Sequence, residues 1–261
     1  MNNKNTEKSF TNLLNIVREL RGPDGCPWDK EQTHESLLPY FLEEAYEVIE
    51  GVEAGDMNSL KEELGDVLLH VVFQADIAQN NSEFTIEDSL NHVNKKLVRR
   101  HPHVFGDKKA DAAFHAKQNW ESAKHKEKKR KSRLDGVPET LPALTRAQRI
   151  QEKASYTGFD WKKIEQVWEK IHEEIQELKE AQSNGNKYHI EEEIGDVIFS
   201  IVNLARFLNI SAESALRKSN KRFEKRFKFI EESCEKQGRS VDGLSLSEQD
   251  DLWEKAKLEN N

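Results

Sequence analysis

Leu42-Glu43-Glu44-Ala45-Tyr46-Glu47, followed by Glu62-Glu63-Leu64-Gly65-Asp66-Val67, decides the fold, because the chain carries the pattern twice. His172-Glu173-Glu174-Ile175-Gln176-Glu177 and Glu192-Glu193-Ile194-Gly195-Asp196-Val197 repeat it. Glu44, Glu47, Glu63 and Asp66 thus have counterparts at Glu174, Glu177, Glu193 and Asp196, each 130 positions later. Chance does not hold four acidic spacings constant over such an interval. The chain is an internal duplication whose shared content is carboxylate.

A chain of 261 residues accommodates two ordinary domains. Charged residues make up 34% and Gly plus Pro only 18 residues, and long alternating β-branched runs are absent, so both repeats read as helical. The fold class is all-α: two tandem helical-bundle domains, an N-terminal repeat over 1–124, a charged linker over 125–140 and a C-terminal repeat over 141–261. In the first repeat the spacing predicts an opening helix carrying Leu13 to Leu20, then helices over about 37–54, 58–79 and 85–100. Gly55-Asp56 is a stop-and-restart signal between the two acidic helices. In the second repeat the helices fall near 144–155, 164–182, 188–208 and 211–237.

The acids need weighing against the ordinary alternative, since most Glu pairs one turn apart are a solvated helix face. At about 100° per residue, with Glu63 at 0°, Asp66 lies near 300° and His70 near 340°. Leu64, Val67, Leu68, Leu69, Val71, Val72 and Phe73 take most of the remaining circle. A helix apolar on nearly all sides is expected to be buried, and Ile194, Val197, Ile198, Phe199, Ile201 and Val202 make the same surround for Glu193 and Asp196. Carboxylates buried together are costly without a cation. Two such helices face to face would form a cage of oxygen ligands, which selects Mg²⁺ or Mn²⁺. Helical di-iron sites use Glu-x-x-His, which neither repeat has.

Cations recur at matched places. Lys96 and Arg100 share a helix face, as do Arg222 and Arg226, and each pair can clamp phosphate. Trp120 with Lys124 parallels Trp253 with Lys257. Lys170 stands one turn before Glu174 where the first repeat has Tyr40, so the second repeat is the stronger candidate for chemistry. Trp28 and Trp161 read as packing anchors, and His101-Pro102-His103 as a helix-ending turn. The net charge of −8 argues against a nucleic-acid partner and leaves the basic run Lys124–Arg133 as a solvated tether. Cys26 and Cys234 form no ligand pattern, the first ten residues lack an apolar signal core, and the longest apolar run is too short to cross a bilayer. The expectation is a reduced, cytoplasmic protein without a membrane segment.

These residues resemble the MazG family of nucleoside triphosphate pyrophosphohydrolases. The likeness rests on Gly25-Cys26-Pro27-Trp28-Asp29, Leu42-Glu43-Glu44, Glu63-Leu64-Gly65-Asp66, Arg99 to Phe105, Leu141 to Leu144, Gly158-Phe159-Asp160 and Val202 to Arg206, and runs from about residue 10 to 258. It implies an all-α fold, a homodimer, and Mg²⁺-dependent cleavage of NTPs and dNTPs to the monophosphate and pyrophosphate by water attacking the α-phosphorus. It implies metal on Glu174, Glu177, Glu193 and Asp196 and nucleotide contacts on Arg222, Arg226, Trp253 and Lys257. In the mechanism read from the residues, Lys170 joins these in offsetting phosphate charge, and either Glu174 or Glu173 accepts the water's proton. Arg222 stands where relatives often have Lys. The residues leave open a nucleotide-sensing module that binds NTP–Mg²⁺ without turnover, and an RNA-associated scaffold built on the basic run.

Overall fold

The computed structural model describes residues 3–106, 120–121, 123–125, 127–128 and 131–259, and every regular element among them is helical. The chain divides into two compact units, Met1–Ala116 and Lys117–Asn261. The sequence repeat was bounded at 124. The described residues from Trp120 to Lys128 belong instead with the second unit, where Glu121 pairs with Arg149 and Lys153. No single described helix is long and apolar enough to cross a membrane.

The first unit holds α1 (Asn3–Arg21), the short α2 (Pro27–Glu31), α3 (Leu38–Ala54), α4 (Met57–Asn80), α5 (Ile86–Arg100) and the single turn α6 (Pro102–Phe105). The second holds α7 (Ala143–Ser155), α8 (Ile164–Asn184), α9 (Lys187–Phe207), α10 (Ala212–Lys236), a 3₁₀ turn over Val241–Gly243, and α11 (Leu246–Glu259). The long helices match the predicted ones to within a few residues at each end. The α2 turn and the start of α11 were not anticipated.

Both units are organised around a helix hairpin, α3–α4 and α8–α9, and the sequence dictates its turn. Gly55 and Gly185 take the left-handed conformation, with φ of 71° and 69°, which costs a glycine least. The next residue then caps the following helix. The Asp56 carboxylate accepts from the Asn58 and Ser59 amides at 2.9 and 3.2 Å, and the Asn186 side chain accepts from the Tyr188 amide at 3.1 Å. A connection this short forces the helices to run antiparallel side by side, which sets EExxE opposite ExxD. His101 ends α5 and Pro102 begins α6, as the His-Pro-His turn implied.

The first core gathers Val17, Leu37, Val72, Phe73 and Ile77, and the second Val167, Ile171 and Leu204. Charge pairs fasten the Trp-bearing loop to the ExxD helix in both units, with the signs exchanged. In the first, Arg21 on α1 pairs with Asp76 on α4 at 2.9 Å while its other end donates to the carbonyls of Asp29 and Gln32. In the second, Arg206 on α9 reaches out to Asp160 in the loop at 3.0 Å.

One expectation fails. The ExxD helices are not enclosed: Leu64, Leu68 and Val71 are 40–53% exposed, and Ile194, Ile198, Phe199 and Ile201 are 43–47% exposed. Each is buried only on the side of its own core, because a hairpin and one or two flanking helices cover half a cylinder. Trp28 and Trp161 are likewise half-exposed and do not anchor either core.

The start of α11 carries its own pH dependence. The Arg239 guanidinium, then the Ser245 amide and hydroxyl, hold the Glu248 carboxyl down at about 2. A depressed carboxyl stabilises the fold above its unfolded value of about 4.3, and that contribution disappears as pH falls towards 2. In acid titrations followed by circular dichroism, Glu248→Gln should flatten the loss of stability between about pH 4.5 and 2. A wild-type profile in the variant would exclude this pair as a contributor.

Candidate active site

In the second unit, Glu174 and Glu177 from α8 and Glu193 from α9 each present a carboxylate oxygen within 4.8 Å of the others. Glu174 is buried, Glu193 half-buried and Glu177 exposed, so the cluster sits at a mouth rather than inside a core. Asp196 lies outside this tight group but lines the same cavity as Glu174. Glu173 faces outward and shares the Lys170 ammonium, which lies 2.7 Å from both the Glu173 and the Glu174 oxygens. Those hydrogen bonds hold Lys170 well above its ordinary value, fully charged.

The first unit assembles Glu44, Glu63 and Asp66 in the same way, again within 4.8 Å. Glu47 lies close enough to Glu63 to act on its charge. Desolvation first, then the Asp66 charge, pushes Glu44 up; desolvation and then Glu47 push Glu63 up. Tyr40 stands where Lys170 stands and offers no cation. Its ring packs edge-on against Trp28. His70 follows Asp66, and burial of its ring lowers its pKa against the pull of that carboxylate.

The donor set fits a small hard cation. Oxygens about 2.1 Å from an octahedral Mg²⁺ stand roughly 3 Å apart when adjacent and about 4.2 Å when opposite, so the observed cluster needs only a slight contraction. The charges also call for one. Desolvation, then the Glu174 carboxylate, raises Glu177, with Glu193 and Glu173 adding to the effect and Lys170 opposing it.

The cavity beside the second cluster has a volume of about 520 Å³. Lys170, Glu174 and Asp196 line it together with the rings of Phe159, Trp161 and Phe199, and Asp160, Asn203 and Arg206 add further polar groups. The sequence missed this role for Trp161, because a Trp after Gly-Phe-Asp reads equally well as packing. The signal was present in Arg206, whose pairing with Asp160 fixes that loop.

The four expected nucleotide contacts on α10 and α11 do not line this cavity. They form a group of their own. The Arg226 guanidinium lies 5.7 Å above the Trp253 ring, Phe223 packs on Trp253 with ring centres 5.2 Å apart, and Lys257 pairs with Glu254. Arg222 is exposed. In the first repeat the matched clamp is not open, since Arg100 is only 4% exposed.

The pattern of the MazG nucleotide pyrophosphohydrolase domain matches residues 32–105 and again 162–230, so each match spans one acidic hairpin. The chain belongs to the MazG family. A nucleoside triphosphate pyrophosphohydrolase/pyrophosphatase MazG of Thermotoga maritima is 51% identical over 95% of both chains. A nucleoside triphosphate pyrophosphohydrolase of Escherichia coli K12 is 42% identical over 94% of this chain and 95% of its own length. The uncharacterized protein YabN of Bacillus subtilis is 44% identical over 95% of this chain, which corresponds to 51% of YabN. The two MazG matches contain both acidic clusters and, in the second repeat, Arg222 and Arg226, but end before Trp253 and Lys257.

Because Glu177 is raised, its ionised form opposes folding at neutral pH. Glu177→Gln should therefore raise the melting temperature in cation-free buffer at pH 7.5. It should also reduce the further rise that wild type gains from Mn²⁺. Differential scanning fluorimetry with and without the ion measures both. A variant less stable than wild type without the ion, yet equally stabilised by it, would remove Glu177 from the cluster.

Proposed function

We propose that this MazG protein hydrolyses nucleoside triphosphates to the monophosphate and pyrophosphate, and that its second acidic hairpin carries the reaction. The observation behind this reading is the meeting of Glu174, Glu177 and Glu193 oxygens within 4.8 Å beside a cavity large enough for a nucleoside. The activity named for its full-length relatives supports the substrate class.

Glu174, Glu177, Glu193 and Asp196 would hold Mg²⁺ or Mn²⁺. Bound there, the ion supplies Lewis acidity towards phosphate oxygens and an acidified water. The chain's own groups do the rest. Glu174 is fixed by burial and by Lys170, so its oxygens meet the ligand in one orientation. Glu173, exposed beside them, is placed to take a proton from a water at the mouth. Lys170 is charged and can turn from the carboxylates towards a phosphate oxygen. Arg222, Arg226 and Lys257 stand apart from the cavity and are assigned to the pyrophosphate on the family resemblance alone, with the face of Trp253 steadying Arg226.

The open ExxD helices point to a homodimer. Ile194, Ile198 and Ile201 form an exposed stripe, and a Cβ at Gly195 would meet nothing within 4 Å. A mid-helix glycine costs about 1 kcal/mol relative to alanine. Nothing nearby in the described chain needs that gap; the close approach of a second copy would. Ile198→Glu should shift the molar mass measured by light scattering from dimer to monomer.

Incubation with each NTP and a divalent cation should release NMP and pyrophosphate, resolved by ³¹P NMR. Glu174→Gln should lower kcat/KM at least about a hundredfold, the scale on which losses around a metal ligand act. The loss should be larger than that from Glu44→Gln. Release of NDP and orthophosphate, or nucleotide bound but intact after hours with the cation present, would overturn the proposal.

A further inference from the structure

Part of the lining of the cavity beside the second acidic cluster comes from outside the acidic hairpin: from α7, from the loop over 158–161 and from Leu134. Leu134, in the charged linker expected over 125–140, lines it together with the aromatic residues. That segment is folded. The Asp135 carboxylate accepts from the Lys131 and Ser132 amides at 3.0 and 2.9 Å, and the Leu134 amide donates to the Ser132 hydroxyl at 3.1 Å.

What holds it against the bundle is Lys153 of α7. Its ammonium donates to the Arg133 carbonyl at 3.4 Å and the Asp135 carbonyl at 3.2 Å, one on each side of Leu134. It also pairs with the Glu121 carboxylate at 3.3 Å. An ammonium has three N–H donors and no acceptor. Here each has a partner, and only under that condition is a lysine 5% exposed tolerable. Burial opposes ionisation of Glu121, but Lys124, Lys153 and Arg149 together hold it below the usual carboxylate range, so the pair is charged on both sides. None of these groups touches the acidic cluster.

The cavity's chemistry indicates what the wall encloses. Its lining combines charged groups, Lys170, Glu174 and Asp196 among them, with the aromatic rings of Phe159, Trp161 and Phe199, a mixture that suits a nucleoside carrying phosphate. Gln151, which also lines it, is 8% exposed. Its amide nitrogen donates to the Phe199 carbonyl at 2.8 Å, which fixes the amide's orientation. The amide oxygen is buried without a donor. A ring N–H is a donor of the kind missing there.

We propose that the Arg133–Asp135 segment between the two repeats is a wall of the nucleoside subsite of the second acidic centre, and that Lys153 is the positioning residue that holds it in place. The proposal rests on the reading of that centre as a nucleotide site. It adds that the join between the repeats takes part in binding substrate.

The test uses the full chain. Leu134→Ala removes the side chain from the wall without touching a core. It should raise KM for ATP and for CTP about tenfold, the worth of a few methylenes withdrawn from contact, while kcat stays within about twofold. Lys153→Met should do the same by releasing the segment, and Lys153→Arg should recover most of the loss. Stabilisation by Mn²⁺ should match wild type in all three, because the acids are untouched. KM within twofold of wild type in Leu134→Ala, or a fall confined to kcat, overturns the proposal. Should wild type release no pyrophosphate, the reading of the centre fails separately. The wall is then judged by calorimetric titration with AMP: weaker binding in Leu134→Ala supports it, and unchanged or absent binding overturns it.

Discussion

Repulsion between like charges governs this molecule. Two helices, brought side by side by a two-residue turn, set three carboxylate oxygens within 4.8 Å, and the chain does so in both halves. Acids in that arrangement need a counter-charge, a proton or a metal ion. In the first cluster, desolvation and the neighbouring acids raise Glu44 and Glu63. The second uses an ammonium, because Lys170 replaces Tyr40. One substitution thus separates two repeats whose acids are the same.

The fold was largely legible in the sequence because its punctuation is local. Gly55-Asp56 and Gly185-Asn186 stop one helix and cap the next through the backbone conformation and the first-turn amides alone, so no distant residue is needed to read them. The acids were legible for another reason: duplication exposes a spacing that composition would hide. Thr85 and Asp88 cap α5 reciprocally, again a local matter.

What could not be read depended on who meets whom in space. The apolar circuit around Glu63 and Glu193 tells that those faces avoid water, not which neighbour covers them, and a single chain leaves Leu64 and Ile198 open. Trp161 has the same sequence signature whether it fills a core or lines a cavity. Lys153 looks like any helical lysine until Glu121 and two carbonyls converge on it. Arg100 and Arg226 occupy matched positions, yet one is enclosed and the other lies on an indole face.

The contact between Lys170 and Glu174 has a consequence for how the second site is filled. A cation entering the cluster would meet a Glu174 carboxylate already paired with the Lys170 ammonium and would have to displace it. Occupancy is then an exchange, and the observed affinity is the difference between two attractions. The ammonium would keep Glu173 and lose Glu174 as a partner. An anionic ligand arriving next would restore its pairing, so cation and anion favour each other's arrival through one lysine. Such a site would take up the cation alone and hold it more tightly once the anion is present.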